Sequence, residues 1–496
     1  MPFDRTRFLR ALHSAVCGDV LDSDADRARF SVDESIFTLL PEVVVAPKDE
    51  ADVRAVVSVA REFGVPITSR AGGSGVAAQS IGTGIILDFK PHFGKILQIS
   101  SDSVTVEPGV ILLDLNRELA KVGRRFVPDP SSKDVCAIGG MVATNASGPH
   151  SYTYGTTREH VRELWLVLSD GEATISSALA KKYPTLHAEI GQRRALIEKV
   201  TPKVRKNSSG YELKELLKDP PDYTRFLVGS EGTLALTTKI ELRTIPLPEV
   251  VTLALLPFTS LQDALDAVPE VTELEPVAIE LVDSYILWAM KTADPTMAVD
   301  FGLERAEACL FVEWESKPPR IGSSARIFED VTRQTRLWEL RSKGSKLLHE
   351  QAEVCKRKPL RCIEDSIVPV RRLSAFVLEL KEILRTHDCD GAVFGHAGDG
   401  HVHVNPKIDI SAPRLKERLR RLMEEVYSLV LRMGGSISGE HGDGMLRARY
   451  AGRQWGELLP LFQQVKDTFD SGNLFNPGKK ITKQGAEWPP FRTFFS

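Results

Sequence analysis

Six cysteines in 496 residues, none in a C-x-x-C pair, leave this chain without the ligand spacing of a zinc ribbon or an iron–sulfur cluster. Cys17, Cys136, Cys309, Cys355, Cys362 and Cys389 are scattered, as thiols in a reducing, cytoplasmic compartment are. No apolar run approaches the roughly 20 residues that span a bilayer. The opening MPFDRTRFLRALHSAV mixes charge into its apolar positions, lacks the core of a signal peptide and reads as a short amphipathic helix. A net charge of −3 gives no footing for nucleic acid or an anionic membrane surface. What remains is a globular composition, 42% hydrophobic and 26% charged, long enough for two or three domains.

The informative stretches are those of small residues. Pro128 to Tyr154 reads PDPSSKDVCAIGGMVATNASGPHSYTY, with the pair Gly139-Gly140 and then Asn145-Ala146-Ser147-Gly148. Small side chains let a backbone approach a bulky planar ligand, although such runs are also common in surface loops. A second stretch, Ser69-Arg70-Ala71-Gly72-Gly73-Ser74-Gly75, follows the apolar segment Val65 to Thr68. Successive NH groups of such a loop form a nest for a pyrophosphate. It is no P-loop, because no Gly-Lys-Ser/Thr follows, and it lacks the dinucleotide spacing G-x-G-x-x-G. A third stretch is Leu227-Val228-Gly229-Ser230-Glu231-Gly232-Thr233-Leu234.

Around these loops the pattern predicts strands at Val43–Ala46, Val65–Thr68, Gly84–Asp88, Ser103–Glu107, Leu164–Leu168 and Leu234–Leu242. A helix with Val53, Val56, Val57 and Ala60 on one face lies between the first two strands, and Asp114–Val122 reads as another helix. Lys203–Leu216 is polar and gives no clear element. After Pro246-Leu247-Pro248 a different unit begins, with strands at Val251–Leu256, Val277–Val282 and Ala308–Glu313 and a helix at Leu261–Val268. Amphipathic helices are predicted at Val370–Arg385 and Ala412–Met433.

The sharpest cluster is Gly395-His396-Ala397-Gly398-Asp399-Gly400-His401-Val402-His403-Val404-Asn405. From His401 it alternates, so His401, His403 and Asn405 share one face of a strand. Three of the 11 histidines fall within eight residues. A second cluster, Ser438-Gly439-Glu440-His441-Gly442-Asp443-Gly444, adds an acid and a histidine. Histidines with a glutamate suit a catalytic divalent-metal site that keeps an open position. The bland alternative is a set of hydrogen-bonded polar residues in turns.

The order SRAGGSG, PDPSS…IGGMVATNASG…YGTTREHV, LVGSEGTL, GHAGDGHVHVN and E-H-G resembles the FAD-linked D-2-hydroxy acid dehydrogenases of the vanillyl-alcohol oxidase/p-cresol methylhydroxylase superfamily, over roughly residues 30–480. That family includes D-lactate and D-2-hydroxyglutarate dehydrogenases and the flavin subunit of glycolate oxidase. The resemblance implies an α+β protein: an FAD-binding PCMH-type domain of two α/β subdomains, then an α+β cap with an antiparallel sheet and C-terminal helices. The expected division is 1–34 helical segment, 35–247 FAD-binding domain, 248–480 cap and substrate domain, 481–496 tail. For FAD it implies Arg70, Ala71, Gly72, Gly73, Ser74, Gly75, Pro130, Ser131, Gly139, Gly140, Thr144, Asn145, Gly148, Tyr154, Gly155, Glu231, Gly232, Ile240 and Asn405. The first loop has no histidine, so FAD is expected to be non-covalent.

The same resemblance makes His396, His403 and Glu440 ligands of a zinc-like divalent metal and His441 the acid/base. His401 stands where the family more often has asparagine and is left out of the ligand set. Arg341, in Trp338-Glu339-Leu340-Arg341, is implied to bind the substrate carboxylate, a task suited to a bidentate guanidinium. Ser345 and Asn405 join it on the substrate side. The hydroxyglutarate enzymes carry a lysine at the position of Ile363, so a second carboxylate is less well served unless Arg361 reaches in. The implied reaction is oxidation of D-lactate, glycolate or D-2-hydroxyglutarate to the 2-oxo acid, with hydride to flavin N5.

No cysteine follows Cys389, so electrons are expected to leave to a separate acceptor, an iron–sulfur subunit or an electron-transfer flavoprotein. Such a partner could hold the protein at a membrane periphery. The closing run with Phe491, Phe494 and Phe495 suggests a docking surface, a boundary of a longer protein, or a self-packed terminus. The rival readings are a superfamily relative with another substrate (an aromatic alcohol oxidase or an alkylglycerone-phosphate synthase-like transferase), a metallohydrolase, and a non-catalytic flavin subunit of an iron–sulfur complex.

Overall fold

The computed structural model describes residues 3–322, 325–351, 357–482 and 486–492, with the side chains of 345, 346 and 349–351 outside the description. Phe494 and Phe495 therefore lie outside the described residues, as does the side chain of Ser345.

Three sheets organise the α+β fold. The first has four strands, β1 (Asp19–Leu21), β2 (Val43–Ala46), β3 (Ile67–Arg70) and β4 (Ile85–Asp88), in the order β1-β2-β4-β3. β2, β3 and β4 are parallel, and every residue of β2 and β4 is buried, as expected for parallel strands covered on both faces. The helix Glu50–Phe63 connects β2 to β3. Asp49 caps it by accepting from the Asp52 N–H at 3.1 Å, and Gly64 ends it at φ 66°. Val53, Val56, Val57 and Ala60 form its buried stripe. β3 ends at Arg70, so the first glycine loop leaves a strand's carboxyl end.

The second sheet holds β5 (Ile96–Ile99), β6 (Ser103–Val106), β8 (Val161–Val167), β9 (Ala173–Ile175) and β10 (Leu236–Arg243) in the order β5-β6-β10-β8-β9. β7 (Arg124–Arg125) and β11 (Ile245–Pro246) form a small ribbon beside it. The small-residue stretch hides a helix, Ile138–Thr144, despite its two glycines. Packing overrides their poor propensity: Ile138, Met141 and Val142 are buried in this sheet's core, and Asn145 closes the helix at φ 57°. The helix expected over 114–122 begins two residues earlier, at Leu112, and ends at Ala120.

The third sheet is antiparallel. It contains β12 (Thr252–Phe258), β13 (Ala278–Asp283), β14 (Ala308–Trp314), β15 (Arg326–Phe328), β16 (Arg357–Pro359), β18 (Asp390–Gly395) and β19 (His401–Asp409) in the order β15-β12-β14-β13-β18-β19-β16, with β17 (Ser366–Ile367) on β19. Both faces are covered. Leu281 joins the core under the helices Leu261–Thr272, Leu373–Thr386 and Leu415–Arg432, while Val282 joins the core under Ser284–Ala293 and Val331–Gln351. This explains why these strands read as continuous apolar runs.

The chain then turns back to its first half. Ala451, Trp455, Phe462 and Phe469, carried by the helices Ala451–Trp455 and Leu459–Phe469, pack into the core of the second sheet. Leu474–Asn476 runs beside β3: the Ile67 N–H donates to the Leu474 carbonyl at 2.8 Å, and the Asn476 N–H donates to the Ile67 carbonyl at 2.7 Å. β3 is an edge strand, so this segment covers its open side.

A charged clasp joins the small-residue stretch to the third sheet. His150 Nδ1 lies 2.7 Å from Asp129 Oδ2, and Nε2 lies 2.7 Å from Glu313 Oε1. Both partners are acceptors, so both ring nitrogens donate and the ring is an imidazolium. Trp338 Nε1 donates to the other Glu313 oxygen at 2.9 Å. Burial would lower the pKa of His150, but Asp129 and Glu313 raise it well above 6.5. The folded pKa exceeds the unfolded one, so the stabilisation is full below about pH 6.5 and is lost as pH rises through the raised value. His150→Gln is expected to cost on the order of 3 kcal/mol at pH 6. The gap from the parent should narrow steadily in denaturation curves taken at rising pH. A gap independent of pH would show that the imidazolium is not what holds the clasp.

Candidate active site

Beneath the glycine loops lies a partly open cleft. Arg70, Ala71, Gly139, Gly140 and Gly232 line it, together with apolar residues such as Val142, Leu164 and Leu166. A Cβ on Gly140 would meet nothing within 4 Å and would project into open space, whereas one on Gly72 would meet the Val135 carbonyl at 2.5 Å. One glycine thus leaves room at a planar face, and the other permits the loop crossing. Such a lining fits a flavin.

Other residues expected at the cofactor turn their side chains to the protein. Arg70 donates to the Val32 carbonyl at 2.8 Å, and Thr144 Oγ1 to the Gly140 carbonyl at 3.1 Å. Asn145 Oδ1 accepts from Thr156 Oγ1 and from the Arg158 N–H, and Tyr154 Oη donates to Glu315 at 2.6 Å. Glu231 accepts from the Asp443 and Gly444 N–H groups at 2.6 and 2.8 Å. Ile240 is buried in the core of the second sheet. A Cβ on Gly75 would meet Gln79, one on Gly148 the Asp129 carbonyl, and Gly73 and Gly155 have φ of 68° and 79°. Ser74 and Pro130 are half-buried, and Ser131 is exposed.

The histidine cluster assembles as the alternation predicts. His401, His403 and Asn405 lie on β19, His396 follows β18, and Glu440 and His441 come from the loop after the helix Leu415–Arg432. His396 Nε2 and His403 Nε2 are each 3.3 Å from Glu440 Oε1 and 3.4 Å from one another. A tetrahedral ion with bonds of about 2.0–2.1 Å separates its ligand atoms by roughly 3.3–3.4 Å. The opposite faces of the rings are engaged: His403 Nδ1 donates to the Glu364 carbonyl at 2.9 Å, and His396 Nδ1 bonds to Glu280. Nδ1 donation turns Nε2 into a ligand. Burial alone would lower the His396 pKa, yet Glu280 and Glu440 bring it up to about 9, so a cation taking Nε2 would have to displace a proton. These three residues fit a divalent metal.

His401, left out of the expected ligand set, adjoins this trio: one ligand atom from each of His396, His401, His403 and Glu440 lies within 4.8 Å of the others. Its Nε2 is 2.9 Å from Asp365 Oδ1, and its unpartnered Nδ1 is 3.9 Å from Glu440 Oε2. Burial and then Lys206 push its pKa down to about 3. His441 lies on the open side, with its ring stacked on His403 at 5.2 Å. Its Nδ1 is 3.2 Å from Glu364 Oε1, and its Nε2 is 3.6 Å from Glu440 Oε1. Burial lowers its pKa, but Asp365 and Glu364 outweigh that and raise it.

Arg341 reaches the trio through Glu280, whose two oxygens bond to Arg341 Nη2 and His396 Nδ1. Arg341 Nε and Asn405 Oδ1 are buried without partners. A donor therefore stays available for a carboxylate, and an acceptor for a hydroxyl. Arg361 pairs with Glu34 at 3.2 Å, and Ile363 lies in the core, so neither offers a free cation to a second carboxylate.

Four residues that sequence reasoning did not single out complete the site. Glu280 is a fully buried charge inside the apolar strand β13, a signal visible in the sequence. Glu364 holds His441 and is itself held by Arg447. Asp365 accepts from the Glu440 and His441 N–H groups at 3.1 and 2.9 Å and so shapes their loop. Lys206, from the polar stretch without a clear element, donates to Glu440 Oε2 at 2.8 Å. The loop of Glu440 and His441 is also stitched to the glycine-rich stretches: Ser147 Oγ donates to Glu440 Oε2, and Gln79 Nε2 to the His441 carbonyl, both at 2.5 Å.

Two family models match the chain: an FAD binding domain over residues 41–176, and the C-terminal domain of FAD linked oxidases over 247–480. The chain is 32% identical over 95% of its length to a D-2-hydroxyglutarate dehydrogenase of Pantoea ananatis and spans 51% of that relative, about half its length. It is 28% identical to the glycolate oxidase subunit GlcD of Bacillus subtilis, covering 94% of each chain. A D-lactate dehydrogenase of Anaerostipes hadrus is 29% identical, with 88% of this chain and 89% of that one covered. Among solved structures, p-cresol methylhydroxylase superposes with a TM-score of 0.69 at 13% identity, covering 97% of this chain and 98% of the other, which shows the PCMH-type fold.

Proposed function

The chain belongs to the FAD-linked oxidases, and on that footing we propose that it oxidises a D-2-hydroxy acid to the 2-oxo acid. The observation that carries the reading is the convergence of His396 Nε2, His403 Nε2 and Glu440 Oε1 within 3.3–3.4 Å, with Glu440 on a loop bonded to the small-residue stretch through Ser147. Bound FAD supplies a two-electron acceptor, and a divalent cation held by His396, His403 and Glu440 supplies Lewis acidity at the substrate hydroxyl.

The chain's own groups do the rest. Arg341 binds the carboxylate with the guanidinium edge that Glu280 leaves free, and Asn405 orients the substrate from β19. His441 takes the hydroxyl proton at Nε2, since Nδ1 is engaged by Glu364. FAD is held without a covalent bond, by the loops of the 35–247 unit, and the 248–480 unit supplies the substrate side. D-lactate and glycolate suit the site better than D-2-hydroxyglutarate, because Arg361 is occupied by Glu34. A separate electron carrier, an iron–sulfur subunit or an electron-transfer flavoprotein, receives the electrons.

The test is dye reduction by the purified yellow protein. D-lactate or glycolate should bleach the flavin and reduce the dye, L-lactate should not, and acid precipitation should release intact FAD. A flavin that no 2-hydroxy acid reduces would overturn the reading. Peroxide formed as fast as dye is reduced would overturn the separate carrier.

A further inference from the structure

Glu440 has two oxygens: Oε1 faces His396 and His403, and Oε2 lies 3.9 Å from the unpartnered Nδ1 of His401. Oε1 lies 3.3 Å from both His396 Nε2 and His403 Nε2. Oε2 is held twice, by Lys206 Nζ at 2.8 Å and Ser147 Oγ at 2.5 Å. Lys206 is itself fixed. Its ammonium also donates to Ser147 Oγ at 2.9 Å and Ser151 Oγ at 3.2 Å, and Asp399 lies 3.7 Å away. Its side chain is 2% exposed, so this lysine has no alternative position in water. Two residues on, the Ser208 N–H donates to the Ser438 carbonyl at 3.0 Å, which locks the lysine's loop to the glutamate's loop.

A buried ammonium beside a cation site is costly, because two positive charges repel strongly where the effective dielectric is low. A fold that only had to retain a metal would place an anion or a neutral donor there. What the lysine does provide is control of the carboxylate. A free carboxylate can chelate through both oxygens; one whose Oε2 is bonded to an ammonium and a hydroxyl offers Oε1 alone.

We infer that Lys206 is a positioning residue that restricts Glu440 to one ligating oxygen, and so keeps a coordination position open for the substrate while holding the metal loosely. This rests on the metal reading proposed above. It goes beyond that reading by giving the site a built-in restraint on its own affinity.

The restraint has a signature opposite to that of a merely structural residue. Lys206→Met, made together with Ser147→Ala so that no hydroxyl still holds Oε2, removes the charge and frees that oxygen. The variant is expected to bind Zn2+ at least about tenfold more tightly in chelator competition, the lower end of what outer-shell partners are worth. Its Co2+ form should show a weaker visible d–d band than the parent, read against the Zn2+ form, as the coordination number rises. Turnover should fall with metal and FAD both retained. Lys206→Gln keeps a donor to Oε2 and lacks the charge. It should bind Zn2+ more tightly than the parent while its Co2+ spectrum stays parent-like, and it carries the test if the double variant does not fold. Weaker metal binding in Lys206→Gln, or an unchanged Co2+ spectrum in the folded double variant, overturns the inference. A parent protein that binds neither ion overturns the metal reading itself, and is distinguished by being seen before any variant is made.

Discussion

Glu440→Gln is expected to lose the divalent metal and nearly all turnover while keeping a full complement of FAD. The carboxylate supplies the one anionic ligand atom between two imidazoles, at 3.3 Å from each Nε2. An amide of the same shape is a far poorer ligand for a divalent cation. The loss should exceed the roughly 10–100-fold that follows from removing an outer-shell partner. The substitution also strips Lys206 of its nearest anion and leaves that ammonium to Asp399 at 3.7 Å. Burial would raise the Glu440 pKa, but Lys206 and His396 keep it well below 4.5, so the parent side chain is ionised throughout the neutral range. The residues that line the flavin cavity, Arg70, Gly139 and Gly232 among them, make no bond to the Glu440 side chain. Metal content by elemental analysis and flavin content by absorbance separate the two effects. A variant with stoichiometric metal and parental turnover would remove Glu440 from the site.

His441→Asn should behave differently, keeping metal and FAD while flavin reduction slows by about 10²–10⁴-fold, the range for a lost acid/base group. The geometry separates its role from that of the trio. Its Nε2 is 3.6 Å from Glu440 Oε1, and at 27% its side chain is the most exposed of the site's histidines. Glu364 engages the ring from the other side: Nδ1 donates at 3.2 Å, which leaves Nε2 as the nitrogen that can take a proton. Asparagine can still donate to Glu364, so the loop should hold its shape. The reading is single-turnover reduction of the flavin by saturating substrate. A rate within a few fold of the parent would show that another group takes the proton.

Much of this site was legible in the sequence because it is local. His396, His401, His403 and Asn405 fall within ten residues, and strand alternation alone puts the last three on one face. The glycine loops were legible for the same reason, since a strand ending at Arg70 needs only its own residues to be recognised. The partners of these groups were not. Glu280, Glu364 and Lys206 come from three separate segments, and nothing near Lys206 marks it as buried, because its burial is decided by a glutamate 234 positions away. The helix Ile138–Thr144 was hidden for a related reason: its glycines disfavour a helix, and only the core under the second sheet overrides them. The roles of Arg341 and His441 came from family resemblance, since an arginine or a histidine carries no label of function in its spacing.

The segment Leu474–Asn476 that lies along β3 has a consequence for how the chain comes into being. The strand feeding the first glycine loop gains its outer neighbour from residues made some 400 positions later, and Asn476 Nδ2 then donates to the carbonyls of Gln79 and Glu231 at 3.0 and 2.7 Å. On a ribosome adding roughly 5–20 residues each second, β3 waits tens of seconds or longer with an unpaired edge. Throughout that interval the exposed backbone is a template for pairing with other chains. The strand that feeds the first glycine loop therefore gains this neighbour only after residues 474–476 have been made.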